Sequence, residues 1–458
     1  MTLFAFLILF VAVMVGYTIN LRAARAIRAG GTKPHSLDEF HGGYAALVIL
    51  VPTFFLIILW VLFQPVVIEF LVKAGLPSGT FEGLGAGEIQ LIMTEIRSIA
   101  GGRIFGTPEE WKLAAADRLV SLQATASWLL VAITAAMVAA LILYTRRTVA
   151  ADFRARHGVE RIVLALMVGC ATVAIFVTVG IVGSLMFETF RFFQMVPFWD
   201  FILGTSWEPQ IPIREDQIAA EGAFGMLPVF LGTLVIATIA MIVATPIGLF
   251  SAIYLHEFAS PRVRSIVKPV LEILAGVPTV VYGFFAILVI APAIRSFGAD
   301  LGLPIAPNTA LAAGSVMGIM LVPFISSFAD DALGAVPRSL RDGSLALGST
   351  PAETVSKVLF PAAIPGIVGG ILLAVSRAIG ETMIVVMAAG LIATMTINPL
   401  DSVTTVTVQI VTLLIGDTAF DSPKTLAAFA LGMVLFLVTL VINIFALSIV
   451  RKYREVYD

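Results

Sequence analysis

The chain has 458 residues, of which 59% are hydrophobic and only 13% are charged. Soluble globular proteins carry about a quarter charged residues, so this composition excludes an ordinary soluble domain. The formal net charge of −2 indicates no particular class of partner, and the single cysteine, Cys170, excludes a disulfide within the chain.

Long apolar segments predict membrane-spanning helices, because about 20 apolar residues cross a bilayer as a helix. The alternating pattern of a membrane β-barrel is absent, so we predict an all-α membrane protein with about nine spans. The predicted spans cover about residues 3–19, 44–72, 127–144, 162–187, 227–254, 270–294, 309–329, 365–392 and 426–450. An external N-terminus and a cytoplasmic C-terminus follow from the positive-inside rule, since most lysines and arginines then lie in cytoplasmic segments.

The first part of the chain, residues 1–155, is predicted to be a three-span membrane extension with an external segment at 73–126. Isoleucines recur at helical spacing between Ile89 and Ile99, which predicts an amphipathic helix. The stretch TPEE at 107–110 has the pattern of a capping box and predicts a helix through about residue 122. The segment is therefore a small helical cap, either packed on the membrane surface or bound to a partner.

Residues 156–226 combine the first span of the remaining core with an external acidic loop. The loop contains Trp199 and Trp207, a residue type that anchors segments at membrane interfaces. Two interpretations stay open for this loop: a solvated segment, or a contact with an external partner.

The last part, 227–458, has apolar segments that contain helix-breaking residues. They are Pro246, Gly248, Pro278, Gly283, Pro323 and Gly380. Breaks inside membrane helices are tolerated where neighbouring groups satisfy the freed backbone, often beside a transport pathway. The pairs Gly314/Gly318 and Gly366/Gly370 predict close contacts between helices.

A predicted cytoplasmic segment, 330–364, has the pattern of two short helices joined by a turn. The first covers about 340–347 and ends at Gly348, since glycine favours the position after a helix. Ser349 or Thr350 caps the second, which ends at Pro361. This compact elbow is suited to insertion into a groove of another protein.

The elbow resembles the EAA loop of ABC importer permeases, whose pattern is E-A-A-x3-G-x9-I-x-L-P. Asp342, Gly343 and Ser344 match the first three positions in spacing, and Gly348 and Pro361 are identical to the pattern. The resemblance implies that this loop docks on a separate ATPase. The implied coupling residues are Asp342, Gly343, Ser344, Gly348, Ser349 and Pro361.

Further stretches resemble the permeases of phosphate-specific ABC importers, and of the two permease types in such systems they are more similar to the C-type subunit, PstC. They are MLPVFLGT at 226–233, PIGLFSAIYLHEFA at 246–259, LAGVPTVVYGFFA at 274–286 and SRAIGETM at 376–383. The resemblance covers about 160–458 and implies a six-span type I permease core in a bacterial inner membrane. It also implies a sister permease, two ATPase subunits and an external phosphate-binding protein.

Three other functions stay open. One is a membrane scaffold or sensor without transport, which would need no charges inside the membrane. The elbow would serve equally well in an importer of another oxyanion, such as sulfate or molybdate. An ion-driven secondary transporter would instead show repeated halves and carboxylates in several spans.

Catalytic motifs are missing from the chain. There is no phosphate-binding G-x-x-x-x-G-K-[ST] loop, no G-x-S-x-G nucleophile motif and no metal-ligand spacing among the four histidines. We therefore expect no enzymatic activity and no cofactor or metal in this chain, with ATP and Mg²⁺ bound by the partner ATPase.

The stretch SRAIGET places Arg377 and Glu381 inside an apolar segment, near the middle of the predicted span. Residues four apart share a helix face, and charged residues within spans usually face a pathway or the bundle interior. A guanidinium offers a planar donor fork to phosphate, and a nearby carboxylate would weaken that grip. We expect Arg377, Glu381 and Thr382 to line the substrate pathway, or the two charged residues to form a structural ion pair.

Glu272 is the remaining candidate for the substrate pathway. It lies four residues after Lys268, near the predicted cytoplasmic start of a span. It forms either a surface ion pair with Lys268 or part of a cytoplasmic gate.

Overall fold

The computed structural model describes residues 1–76, 80, 85–103, 108–209, 222–415 and 422–453. Within them, nine helical segments are long and apolar enough to cross a membrane. The predicted all-α membrane fold and its number of spans are therefore confirmed. The chain forms two compact units, Met1–Phe176 and Val177–Asp458.

The first unit contains three long helices that pack on one another. Its helices are α1 (Thr2–Ala29), α2 (Asp38–Lys73), α3 (Ala86–Ala100), α4 (Glu110–Thr148) and the first part of α5 (Ala155–Met195). Their shared core includes Leu9 of α1, Ile49 and Ile57 of α2, and Leu130 of α4. Each helix buries one stripe and leaves its other apolar faces exposed, as expected of helices in lipid.

In the segment predicted as a cap, α3 packs against α2 and α4, and the second predicted helix is wrong in extent. Ile96 and Met93 of α3 are buried against Ile68 of α2 and Leu119 of α4. The helix predicted to end near residue 122 continues through the third span as α4, because no glycine or proline interrupts it there. It begins at Glu110, after Pro108, and Thr107 lies outside the described residues.

The second unit begins within α5 and contains a small sheet before its long helices. After α6 (Phe198–Leu203), β1 (Trp207–Glu208) pairs antiparallel with β2 (Ala223–Phe224). Trp207 is buried and its indole donates to the side-chain oxygen of Gln409 at 2.9 Å, whereas Trp199 is exposed. The predicted interfacial role is therefore wrong for Trp207, because the fold satisfies its N–H internally.

The remaining helices form the packed core of the second unit. They are α7 (Leu227–Ile253), α8 (Pro261–Ala275), α9 (Thr279–Phe285), α10 (Ala291–Asp300), α11 (Ala310–Gly334), α12 (Arg338–Ala346), α13 (Pro351–Thr354), α14 (Phe360–Ile379), α15 (Met383–Ala388), α16 (Val406–Leu414) and α17 (Pro423–Tyr453). Three π-helical turns are inserted at Tyr254–Phe258, Ala286–Ile290 and Val355–Leu359.

Close packing around α11 depends on glycine, as the sequence predicted. A Cβ at Gly318 would lie 2.7 Å from Cβ of Val243 on α7, and one at Gly370 would lie 2.6 Å from Cβ of Phe328. Both approaches are shorter than side-chain contacts allow, so only glycine lets the helix axes come this near.

The predicted interruptions are only partly correct. Pro246 and Pro323 lie inside continuous helices α7 and α11, where a single lost hydrogen bond is tolerated. The breaks occur instead between α8 and α9, around Pro278, and after α14, at Gly380. The sixth span is consequently Thr279–Asp300, and α8 is a separate helix before it.

Candidate functional site

Arg377 and Glu381 do not lie on one helix. The eighth span, Pro351–Ile379, ends two residues after Arg377, and Gly380 forms its C-cap. The predicted i,i+4 pairing and the position near the middle of the span are therefore wrong. The helix closes at the glycine, where the N–H of Gly380 donates to the carbonyl of Ser376 at 3.3 Å and the N–H of Glu381 donates to that of Ala378 at 3.2 Å, a tighter final turn.

The guanidinium of Arg377 is exposed and lies over an aromatic ring. Its central carbon is 5.6 Å from the ring centroid of Phe324 on α11, within the range of a cation–π interaction. Among the residues described, no carboxylate forms an ion pair with Arg377. Its donor fork is consequently available to an anion.

Glu381 and Thr382 are engaged with the start of the next helix. One Glu381 carboxylate oxygen accepts the backbone N–H of Met383 at 3.2 Å, and the Thr382 hydroxyl donates to the carbonyl of Gly380 at 3.4 Å. The hydroxyl of Thr407 donates to the backbone carbonyl of Glu381 at 2.8 Å. These bonds fix the turn that follows Arg377.

The segment after this turn returns into the core rather than extending the span to residue 392. Ile384 and Val385 of α15 are buried, and Gly390 has φ +110°, a conformation that favours glycine. The side-chain nitrogen of Gln409 donates to the carbonyl of Leu391 at 3.0 Å. Residues 380–405 therefore form a hydrogen-bonded segment that folds back between α14 and α16. In the sequence, its glycines and polar residues were the signals that the span ends here.

Asp330 is the centre of an ion cluster that the sequence did not single out. Its carboxylate accepts from Nδ1 of His256 at 2.7 Å and from Nζ of Lys268 at 2.7 Å. Arg264 donates to both of its oxygens, at 3.0 and 3.2 Å. The side chain of Asp330 is only 8% exposed, and an ionisable residue near the end of a span was the signal available to find it.

Glu257 forms a second ion pair beside this cluster. Its carboxylate, only 6% exposed, binds Nη2 of Arg341 on α12 at 3.0 Å. The other Glu257 oxygen is 3.7 Å from Nε2 of His256. The π turn at Tyr254–Phe258 thus places adjacent residues toward α11 and toward α12.

Glu272 lies beside a cavity next to the Asp330 cluster. The cavity measures about 250 Å³. It is lined by Leu255, Lys268, Leu271, Glu272, Ala275, Pro323, Phe324, Ser326, Ser327 and Asp330. Lys268 binds Asp330 rather than Glu272, so the surface pair considered from the sequence does not form. Phe324 is shared by this cavity and by Arg377.

The elbow has the predicted turn but continues further than expected. Gly348 has φ +91°, which explains why glycine ends the first helix. Thr350, rather than Ser349, is the N-cap, in a reciprocal capping box with Glu353. The second helix does not end at Pro361, because the π turn before it accommodates a residue without an N–H and leads directly into α14.

The predicted coupling residues cluster at the tip and inner side of the elbow. Asp342, Gly343 and Gly348 are exposed, Ser349 is half-buried in the turn, and Pro361 is exposed at the start of α14. The hydroxyls of Ser344 and Thr354 are 3.0 Å apart and join the two arms. Leu347 is 90% exposed, so the tip presents apolar surface.

Two family models match the chain. Residues 244–455 match the inner-membrane component of binding-protein-dependent transport systems, and residues 6–177 match a family described as phosphate ATP-binding cassette transporter. In the described residues, no group of three or more histidine, cysteine, aspartate or glutamate side chains could hold a metal ion.

Individual relatives are similar over more than half of the chain. The probable ABC transporter permease YqgH of Bacillus subtilis is 32% identical over 276 residues, which are 60% of this chain and 84% of that protein. The phosphate transport system permease PstC 1 of Mycobacterium tuberculosis is 32% identical over 277 residues, 55% of this chain and 81% of that protein. A solved bacterial alginate ABC transporter covers 65% of this chain and 96% of its own, at 15% identity and a TM-score of 0.44. At this identity and coverage of the two permeases, the chain belongs to the PstC-type family of ABC transporter permeases.

Proposed function

We propose that this chain is the transmembrane permease subunit of an ATP-driven importer that moves inorganic phosphate into the cytoplasm. The observation that carries this proposal is the similarity of the chain to phosphate permeases, together with an elbow that leads without interruption into the helix of Arg377. As a multi-pass protein of the bacterial inner membrane, it would use alternating access.

The elbow is the proposed docking site for the ATPase. Its tip exposes Leu347 beside Asp342 and Gly343, a small apolar and polar surface suited to a groove. The following helical segment, Pro351–Ile379, has 29 residues and so extends about 43 Å. A rigid element of this length would carry a displacement from the elbow to the end that holds Arg377.

Arg377 is the proposed contact for phosphate. Its guanidinium is exposed and free of carboxylates among the described residues, and stacking on Phe324 limits its orientations. Glu381 would act less directly than the sequence suggested, by fixing the turn through Met383 while adding negative charge nearby. Thr382 and Glu272 are the other proposed pathway residues.

The partners we propose are a sister permease, two ATPase subunits that bind ATP and Mg²⁺, and an external phosphate-binding protein. The chain itself would bind no cofactor and catalyse no reaction. Purification in mild detergent followed by mass spectrometry tests this assembly. Recovery of an ATPase and a second permease is expected, and purification of this chain alone would contradict it.

Uptake of labelled phosphate by cells that contain the complete system tests the substrate. Phosphate uptake should resist a large excess of unlabelled sulfate or molybdate. Preferential uptake of labelled sulfate or molybdate would show that the substrate is that oxyanion and not phosphate. Uptake that persists when the ATPase subunits are inactivated would instead indicate a secondary transporter.

A further inference from the structure

Two helices next to the spans of the second unit have side chains that are at most partly buried. They are α8 (Pro261–Ala275) and α12 (Arg338–Ala346), and both are amphipathic and carry cations. Helices normally attach to a fold by burying an apolar stripe. α8 packs Leu274 against the core of the unit, and both helices are also tied to the spans through ion pairs with carboxylates that are almost buried.

The tie to α12 is the pair between Arg341 and Glu257. The Glu257 carboxylate is 6% exposed and its Arg341 partner is 44% exposed, at 3.0 Å. Removing a carboxylate from water costs several kcal/mol unless a charged partner offsets it. The elbow is therefore attached through Arg341, and loss of this side chain would leave the buried charge of Glu257 uncompensated.

The tie to α8 is the cluster at Asp330. Two cations of α8, Arg264 and Lys268, bind this carboxylate of α11, and His256 of the π turn binds it as well. His256 also lies 3.7 Å from Glu257. A continuous chain of charged and polar groups thus runs from α12 through the π turn to α11 and α8.

The adjacent residues His256 and Glu257 lie in the π turn and contact different helices, α11 and α12. Such turns are common at functional sites. α8 also carries Glu272 and borders the 250 Å³ cavity, so a movement of α8 changes that opening.

We propose that Glu257 and Asp330 are positioning residues that transmit displacement of the elbow to α8 and its cavity, and so couple ATP hydrolysis to phosphate release. This inference rests on the proposed function. When the ATPase moves α12, Arg341 moves Glu257 and the end of α7, and His256 and Asp330 carry the movement to α8. The ion pairs act together with the packing of Leu274 of α8 against the core, because neither α8 nor α12 has a fully buried residue.

The test uses the complete complex with its ATPases in lipid vesicles, and measures phosphate transported per ATP hydrolysed. Glu257→Gln and Arg341→Gln should lower this ratio by about five- to tenfold, within the usual range of coupling energies, while ATP hydrolysis continues. Arg341→Lys keeps the charge and should retain most of the ratio. Arg262→Gln, which removes an exposed cation of α8 outside the chain of groups, is the matched control.

An unchanged ratio in both glutamine variants would overturn the proposal. An equal fall in ATP hydrolysis and transport would also overturn it, because that result indicates lost docking or folding. Failure of the unmodified complex to transport phosphate would contradict the proposed function instead, so the two failures are distinguishable.

Discussion

Arg377 and Lys268 are both cations on helices that pack against α11, yet their surroundings differ. Lys268 is bound at 2.7 Å by Asp330, whose side chain is almost buried, whereas Arg377 is exposed and contacts only the ring of Phe324 in the described interactions. A cation held by a buried carboxylate contributes to structure, and one without a carboxylate is available for a ligand. The charged residues of the unit therefore form two groups: a structural end, where Asp330 binds Lys268, and a ligand-binding end, at Arg377.

The largest expected effect is at the structural end. Asp330→Asn should destabilise the protein by about 2–3 kcal/mol, because hydrogen bonds to charged groups are lost while Arg264 and Lys268, each 38% exposed, are partly rehydrated. Thermal unfolding in detergent measures the change. Asp331→Asn, at the exposed neighbouring residue, is the control, and equal melting temperatures of the two variants would contradict the structural assignment.

The next effect concerns the ligand-binding end. Arg377→Gln should reduce phosphate uptake by about 10- to 100-fold, as expected for loss of a hydrogen bond to a charged group. Its melting temperature should change little, since the side chain is exposed. Uptake of labelled phosphate at matched protein levels measures the effect, and full uptake would show that Arg377 is not a substrate contact.

The stacking ring should have a smaller effect. Phe324→Leu keeps an apolar side chain but removes the π face under Arg377, so uptake should fall by about two- to fivefold. Phe324→Tyr keeps the ring and serves as the control. Identical uptake by the leucine variant would mean that stacking does not orient the guanidinium.

The smallest expected effect is at Glu272. Its side chain is exposed on the cavity wall and does not bind Lys268, so Glu272→Gln should change uptake by about twofold at most, through screened charge alone. Initial uptake rates measured at low and high salt would show whether the effect is electrostatic. A loss of uptake as large as that of Arg377→Gln would show that Glu272 contacts the substrate directly.

The elbow illustrates how much local sequence could predict. Gly348 and the capping residues at its turn are local signals, and the structure has them where the spacing placed them. The continuation through Pro361 was not predictable in the same way, because a proline usually ends a helix and only the preceding π turn accommodates it. The predicted end of the eighth span, at residue 392, was too late. The stretch after Gly380 is apolar, as a span would be, but it folds back into the core.

By itself, the sequence determined that this is a helical membrane protein with nine apolar spans, because hydrophobicity and length depend only on composition along the chain. It also determined the elbow and the presence of Arg377 in an apolar segment. Only the tertiary structure decided which charges meet. Asp330 lies more than 60 residues from Lys268 and Arg264, and no local pattern encodes a contact made by packing α8 on α11. The same packing left Arg377 without a carboxylate among the described residues, although Glu381 is only four residues away.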